Sequence, residues 1–292
     1  MLSKSYSIKS TEVNRILQDI QQDKIGIPEM QRPFVWSKVQ VRDLIDSLYR
    51  GYPIGFIVTW ENPDANLKAG GKGQNKEIII DGQQRITALS AALMGKEIVN
   101  EKYSKERIYI AFNPATEEFA TRSAAIAKDP KWISDISIFN QPGFNTYKYI
   151  NENCERFGMS GDKLNDAIQK LMLIYNSEIG VIDLVSNLPI DQVTDIFNRI
   201  NQKGTRLSSA DFAMSRLSSD LSHHGNDLRK EIDYFIQIYR DKNLADNIKK
   251  MDVEFANTEY YHHIAWAEKK HSNIFDPDFA DLLHISLGVG FL

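Results

Sequence analysis

The densest chemistry in the sequence sits in Asp81-Gly82-Gln83-Gln84-Arg85. A carboxylate, a glycine, two carboxamides and a guanidinium in five consecutive positions suit the binding of an oxyanion. Gly82 lets a phosphate approach the backbone, and Arg85 can fork onto its oxygens. Two further stretches carry similar potential. In Pro28-Glu29-Met30-Gln31-Arg32-Pro33-Phe34-Val35-Trp36, prolines stiffen the chain around Arg32, and Phe34 and Trp36 can anchor it by burial. Arg32 would then be a clamp for phosphate oxygens, or a surface arginine beside a packed aromatic pair. In Ile196 to Ser208, Asn198 and Asn201 share a helix face before the Gly204 stop. They would either bind a ligand or cap local backbone.

The elements that position these residues follow from periodicity. Ile78-Ile79-Ile80 predicts a buried strand, and Ile86 to Leu93 predicts a helix that ends at Gly95. The turn between them lies where uncapped amides and the helix dipole favour an anion. A short amphipathic helix is expected from Thr11 to Gln22. Ile25 to Trp36 should be extended. Ser37 and Gln40 have capping-box spacing for a helix that ends before Gly51. Strands are expected over Ile54 to Trp60, Arg107 to Phe112, Glu118 to Thr121 and Glu178 to Val185. Asn62 to Lys76, with Gly70, Gly71 and Gly73, reads as a loop that could close over a ligand; it lacks the ending of a P-loop. Helices are expected over Asp162 to Tyr175, Ile190 to Asn201, Ser208 to Leu221 (Ser208 and Asp211 at capping-box spacing), Glu231 to Tyr239 and Glu259 to Lys270.

The chain of 292 residues has 42% hydrophobic and 25% charged residues, ordinary for a globular protein. No apolar run reaches the length that spans a bilayer, so no membrane is expected and a cytoplasmic location is. The lone Cys154 excludes an internal disulfide and a multi-cysteine zinc site. A net charge of −4 shows no basic footprint for tight nucleic-acid binding. His223-His224 and His262-His263 are adjacent pairs that point to different helix faces and make poor metal pairs. The apolar ending Leu287 to Leu292 either docks into the body or continues in a longer natural protein.

Together, the three motifs resemble the N-terminal domain family of GmrSD-type restriction endonucleases. The matching residues are Pro28, Gln31, Arg32 and Trp36; Asp81 to Arg85 followed by Ile86-Thr87; and Phe197, Ile200, Asn201, Gly204 and Leu207. The resemblance implies an α+β fold: a ParB/sulfiredoxin-like nucleotide-binding core over residues 1–125, then a mainly helical domain over 126–292. The second domain would bring the Phe197–Leu207 corner to the same site. It also implies a nucleotide, GTP or ATP, with Mg²⁺. Where sulfiredoxin needs a cysteine in its phosphate turn, Gln83 and Gln84 stand instead. No His-Asn-His nuclease pattern is evident.

On this reading the amides of Gly82, Gln83 and Gln84 hold phosphates, and Arg85 and Arg32 neutralise the transferring phosphoryl. Asp81 holds Mg²⁺ or simply caps the helix. Gln31 or Gln84 orients water, Asn198 and Asn201 meet ribose or base, and Thr87 completes the cofactor side. The expected protein is a nucleotide-binding, NTP-hydrolysing domain of a restriction or phage-defence system. It would drive or gate a DNA nuclease, fused or separate, and its oligomeric state is open. The alternatives are a nucleotide sensor without turnover and a ParB-like DNA-binding or nuclease domain.

Overall fold

The computed structural model of the protein describes residues 5–22, 24–26, 33–61, 77–200, 224–269 and 281–282. The side chains at 190, 191, 194, 197 and 198 lie outside that description. The strands are β1 (Tyr6–Glu12), β2 (Ile25–Gly26), β3 (Ile57–Glu61), β4 (Glu77–Asp81), β5 (Glu97–Val99), β6 (Lys105–Arg107), β7 (Ile110–Asn113), β8 (Glu118–Thr121) and β9 (Glu178–Leu184). The principal helices of the first 200 residues are α1 (Val13–Gln21), α2 (Lys38–Tyr49), α3 (Gln83–Leu93), α4 (Ala124–Lys128), α5 (Thr146–Phe157), α6 (Gly161–Met172) and α7 (Ile190–Ile200). The architecture is α+β.

Five strands form one mixed sheet in the order β1-β9-β3-β4-β2. β9 runs antiparallel to β1 and parallel to β3, and β4 runs antiparallel to β3 and parallel to β2. Side chains alternate across the sheet. Ile57, Ile79, Ile179 and Val181 are buried with Val13, Ile16 and Leu17 of α1, Val41, Leu44, Ile45 and Leu48 of α2, and Ile86 and Leu89 of α3. Val58, Trp60 and Leu184 point to the other face and meet Val193 and Ile196 of α7. The sheet is therefore covered on both faces, which is why its central strands read as continuous apolar runs.

The sheet disregards the expected division at residue 125. β9 comes from the region assigned to the helical domain, yet it lies between β1 and β3. The same core continues through Leu164, Ile168, Leu171 and Ile174. Other expectations are corrected in detail. β3 starts at Ile57, not Ile54, because Gly55 takes the left-handed conformation at φ +87° and delays the strand. The expected strand Arg107 to Phe112 is two: β6 pairs with β5, and β7 pairs with β8. The chain changes partner at Ile108 and Tyr109.

A second core lies in the helices Gly225–Arg240, Leu244–Met251, Val253–Ala256 and Glu259–Ile264, followed by a 3₁₀ turn at Ala265–Glu268. Tyr234, Ile238, Ile248, Phe255, Tyr261 and Ile264 fill it together with Tyr103, which is carried at the tip of the β5–β6 hairpin. Asp252 is its polar anchor. It accepts from the Tyr234 hydroxyl at 2.9 Å and the Phe255 amide at 3.2 Å, and pairs with Lys230 at 2.8 Å. Burial alone would raise its carboxyl pKa, but Lys230 and these hydrogen bonds outweigh it and hold the pKa below its ordinary value. A carboxyl depressed in the folded state stabilises above its unfolded pKa, about 3.9, and that gain fades as pH falls through the folded value. Asp252→Asn is expected to cost about 1–3 kcal/mol at pH 7. Urea midpoints of variant and wild type should stay apart down to the unfolded carboxyl pKa and converge only as pH falls on through the lower, folded value.

Candidate anion-binding turn

The β4–α3 junction is built by a strand that ends at Asp81 and a helix that starts two residues later. Gly82 makes the change of direction at φ +96° and ψ 7°. A Cβ there would lie 2.5 Å from Ile57 Cδ1 and 3.3 Å from Ile57 Cα, so both conformation and space require glycine. Gly82 also brings no side chain to cap the helix, and the first turn of α3 holds no acidic residue. The first intrahelical bond runs from the Ile86 amide to the Gly82 carbonyl at 3.0 Å. The amides of Gln83, Gln84 and Arg85 precede it and have no intrahelical acceptor. This is the arrangement that favours an anion.

Arg85 folds back along the junction. Its Nη2 donates to Asp81 Oδ2 at 2.9 Å and its Nη1 to the Ile54 carbonyl at 3.1 Å. Both side chains are largely buried, 17% exposed for Arg85 and 24% for Asp81. Gly55 makes room for the guanidinium, since a Cβ there would lie 2.6 Å from Nη1. The carbonyl of Ile54 and the bare Cα of Gly55 were not singled out in the sequence. Their signal is the glycine of Tyr52-Pro53-Ile54-Gly55, which reads as a turn only once Arg85 is seen to need its space.

The two glutamines serve the backbone. Gln84 Oε1 accepts from the Val35 amide at 3.0 Å, and its Nε2 reaches the Pro33 carbonyl at 3.5 Å. Gln83 Nε2 donates to the Ile79 carbonyl at 2.9 Å. Gln84 thus ties the Pro33–Trp36 stretch to the start of α3. That stretch is fixed from its other side by Phe34, which is buried and whose amide donates to the Val99 carbonyl at 2.8 Å. Trp36 packs half-buried against the main core. Thr87 sits half-buried one turn into α3.

The first two motifs therefore meet in space, as far as both are described. Gln31, Arg32 and Asn201 lie outside the described residues, as do the side chain of Asn198, the segment 62–76 and the corner 201–223 with its expected Ser208–Asp211 cap. The helix that carries Asn198 is α7, on the face of the sheet opposite α3. Among the described residues no group of three or more His, Cys, Asp or Glu side chains is placed to hold a metal. His224, His262 and His263 are exposed. No described helix is long and apolar enough to cross a membrane.

Fold and junction define a class: an α+β domain whose strand–glycine–helix turn is braced by a partly buried arginine. The chain belongs to the family described as GmrSD restriction endonuclease, N-terminal domain, which matches residues 13–218. It is also similar to an uncharacterised protein of Methanocaldococcus jannaschii, at 22% identity over 264 residues. The match takes in 80% of this chain and 45% of that protein, so the chain spans less than half the length of the curated relative.

Proposed function

We propose that the Gly82–Arg85 turn binds the polyphosphate of a nucleoside triphosphate and promotes its hydrolysis. The domain would thereby drive or gate a DNA nuclease in a restriction or phage-defence system. The observation that carries this reading is the uncapped start of α3, with the Arg85 guanidinium alongside. The amides of Gln83, Gln84 and Arg85, which have no intrahelical acceptor, supply fixed dipoles that need no reorganisation to meet developing negative charge. Arg85 adds a full charge in a partly desolvated setting, where it acts more strongly than in water. Mg²⁺ suits this chemistry, because it is commonly held by one carboxylate together with phosphate oxygens and water. Asp81 is the carboxylate that would hold it. Gln84, engaged with the backbone of Pro33 and Val35, serves by positioning that segment rather than by orienting water. Gln31, Arg32, Thr87, Asn198 and Asn201 are proposed as the remaining contacts, to phosphate, ribose or base.

The test is phosphate release from GTP and ATP with Mg²⁺ by the wild type and by Arg85→Ala, with melting curves to establish that both are folded. Loss of the arginine is expected to lower release about 100-fold or more. Equal release by the two proteins would overturn the assignment. Nucleotide binding in a calorimeter with no release by the wild type would replace hydrolysis with sensing.

A further inference from the structure

The five-stranded sheet ends on two unlike edges. β2 closes one side with only the two residues Ile25–Gly26, too short an edge to invite a further strand. β1 closes the other side with seven residues, Tyr6–Glu12. It is paired to β9 in an unbroken register and contains no proline, so it lacks both the bulge and the imino acid that commonly blunt an edge. Its one lysine does not guard it either. Lys9 stands opposite Val181, on the face of the main core, and is held there by Asp183 at 2.8 Å and Glu77 at 3.1 Å.

The backbone of β1 shows which groups are free to pair. The Ser5 carbonyl accepts from the Val185 amide at 3.1 Å, and the Val13 amide donates to the Ser177 carbonyl at 2.9 Å. In an antiparallel ladder both polar groups of a residue point the same way, and the direction alternates along the strand. Ser7, Lys9 and Thr11 therefore face β9, while the N–H and C=O groups of Tyr6, Ile8 and Ser10 face outward. No other described strand pairs on that side. Tyr6 stands opposite Leu184 and Ile8 opposite Ile182, so their side chains lie on the α7 face of the sheet. Both are apolar and bare, 49% exposed for Tyr6 and 62% for Ile8.

We infer that β1 is a homodimer interface, in which it pairs antiparallel with β1 of a second copy of this chain about a two-fold axis through Ile8. The strand is complementary to itself in that register. Ile8 meets the second copy's Ile8, and Tyr6 meets the second copy's Ser10, so every outward-facing pair exchanges both backbone bonds. On the α7 face, the Tyr6 and Ile8 side chains of the two copies close into one apolar patch. On the other face, Lys9 meets the second copy's Ser7. An axis at Lys9 would set two lysines face to face, and an axis at Ser7 would carry Ser10 past the end of the second copy's strand. The same surface patch serves both copies, as a closed two-fold contact requires, and the two sheets join into one. A single strand pair is a small contact, which makes the dimer reversible. The interface does not rest on the assignment of the Gly82 turn.

Sedimentation velocity of the full chain over a concentration series tests it. The wild type should pass from monomer to dimer as its concentration rises to about 0.1 mM. Ile8→Glu and Ile8→Lys change an exposed side chain, and melting curves should show both to be folded. Each alone sets like charges across the axis and should raise the dimer Kd about tenfold or more. An equal mixture of the two should recover association, because glutamate then meets lysine. A wild type that stays monomeric throughout, a dimer that neither charge weakens, or a mixture no tighter than its components would each overturn the interface.

Discussion

Gly82→Ala is expected to be among the most damaging single-methyl additions this protein can receive. Two costs coincide at that atom. The backbone is held at φ +96°, where any side chain is strained by about 1–3 kcal/mol. The new Cβ would also meet Ile57, at 2.5 Å from Cδ1 and 3.3 Å from Cα. The second of these is backbone and cannot swing away, so overpacking adds about 1–3 kcal/mol. A total of about 2–6 kcal/mol follows, read as a fall in the urea midpoint. Gly51→Ala is the internal control. Its φ is +71°, but nothing lies within 4 Å of the added Cβ, so strain alone should appear. If the two variants lose the same stability, the close packing of Ile57 beneath the turn contributes nothing.

The second large effect is expected far from the turn, at Arg107. Its Nη1 donates to the Ala91 carbonyl near the end of α3 at 2.9 Å. Its Nη2 donates to Ser137 Oγ at 2.8 Å and to Asp135 Oδ2 at 3.2 Å. Both charged side chains are mostly buried, 19% exposed for Arg107 and 16% for Asp135. The guanidinium also fills the space that a Cβ on Gly95 would occupy. Arg107→Ala strands the Asp135 carboxylate in a desolvated pocket, and removal of one partner of such a pair costs about 3–5 kcal/mol. Thermal unfolding of Arg107→Ala, Asp135→Ala and the double variant checks this. The double variant should lose clearly less than the sum of the singles. Strict additivity would show that the two charges do not act as a pair.

Neither the Arg107 clamp nor the Gly55 niche was legible in the sequence, and the reason is common to both. Each joins residues distant in the chain through backbone carbonyls, Ala91 and Ile54, which every residue possesses and no pattern announces. What was legible rested on local rules. The Ser37–Gln40 capping box is present with both of its hydrogen bonds, because it is satisfied within four residues. The strand of isoleucines before Gly82 and the helix after it follow from propensity and from glycine's freedom. β1 escaped notice because it lies at the sheet edge and most of its side chains face solvent, so Tyr6 to Glu12 shows no apolar alternation. α5 escaped because it buries only Ile150 and Phe157. The place of β9 was hidden for a topological reason. Sequence order places β9 among helices, and only the sheet reveals that it closes the gap between β1 and β3.

The fixing of Pro33–Trp36 has a mechanical corollary. The Gln84 carboxamide grips Val35, the neighbouring Phe34 amide grips Val99, and the hairpin that begins there carries Tyr103 into the helical core, with its hydroxyl 3.4 Å from Asp233. The start of α3 is thus joined by a continuous run of contacts to Tyr103, which packs among the helices after residue 224.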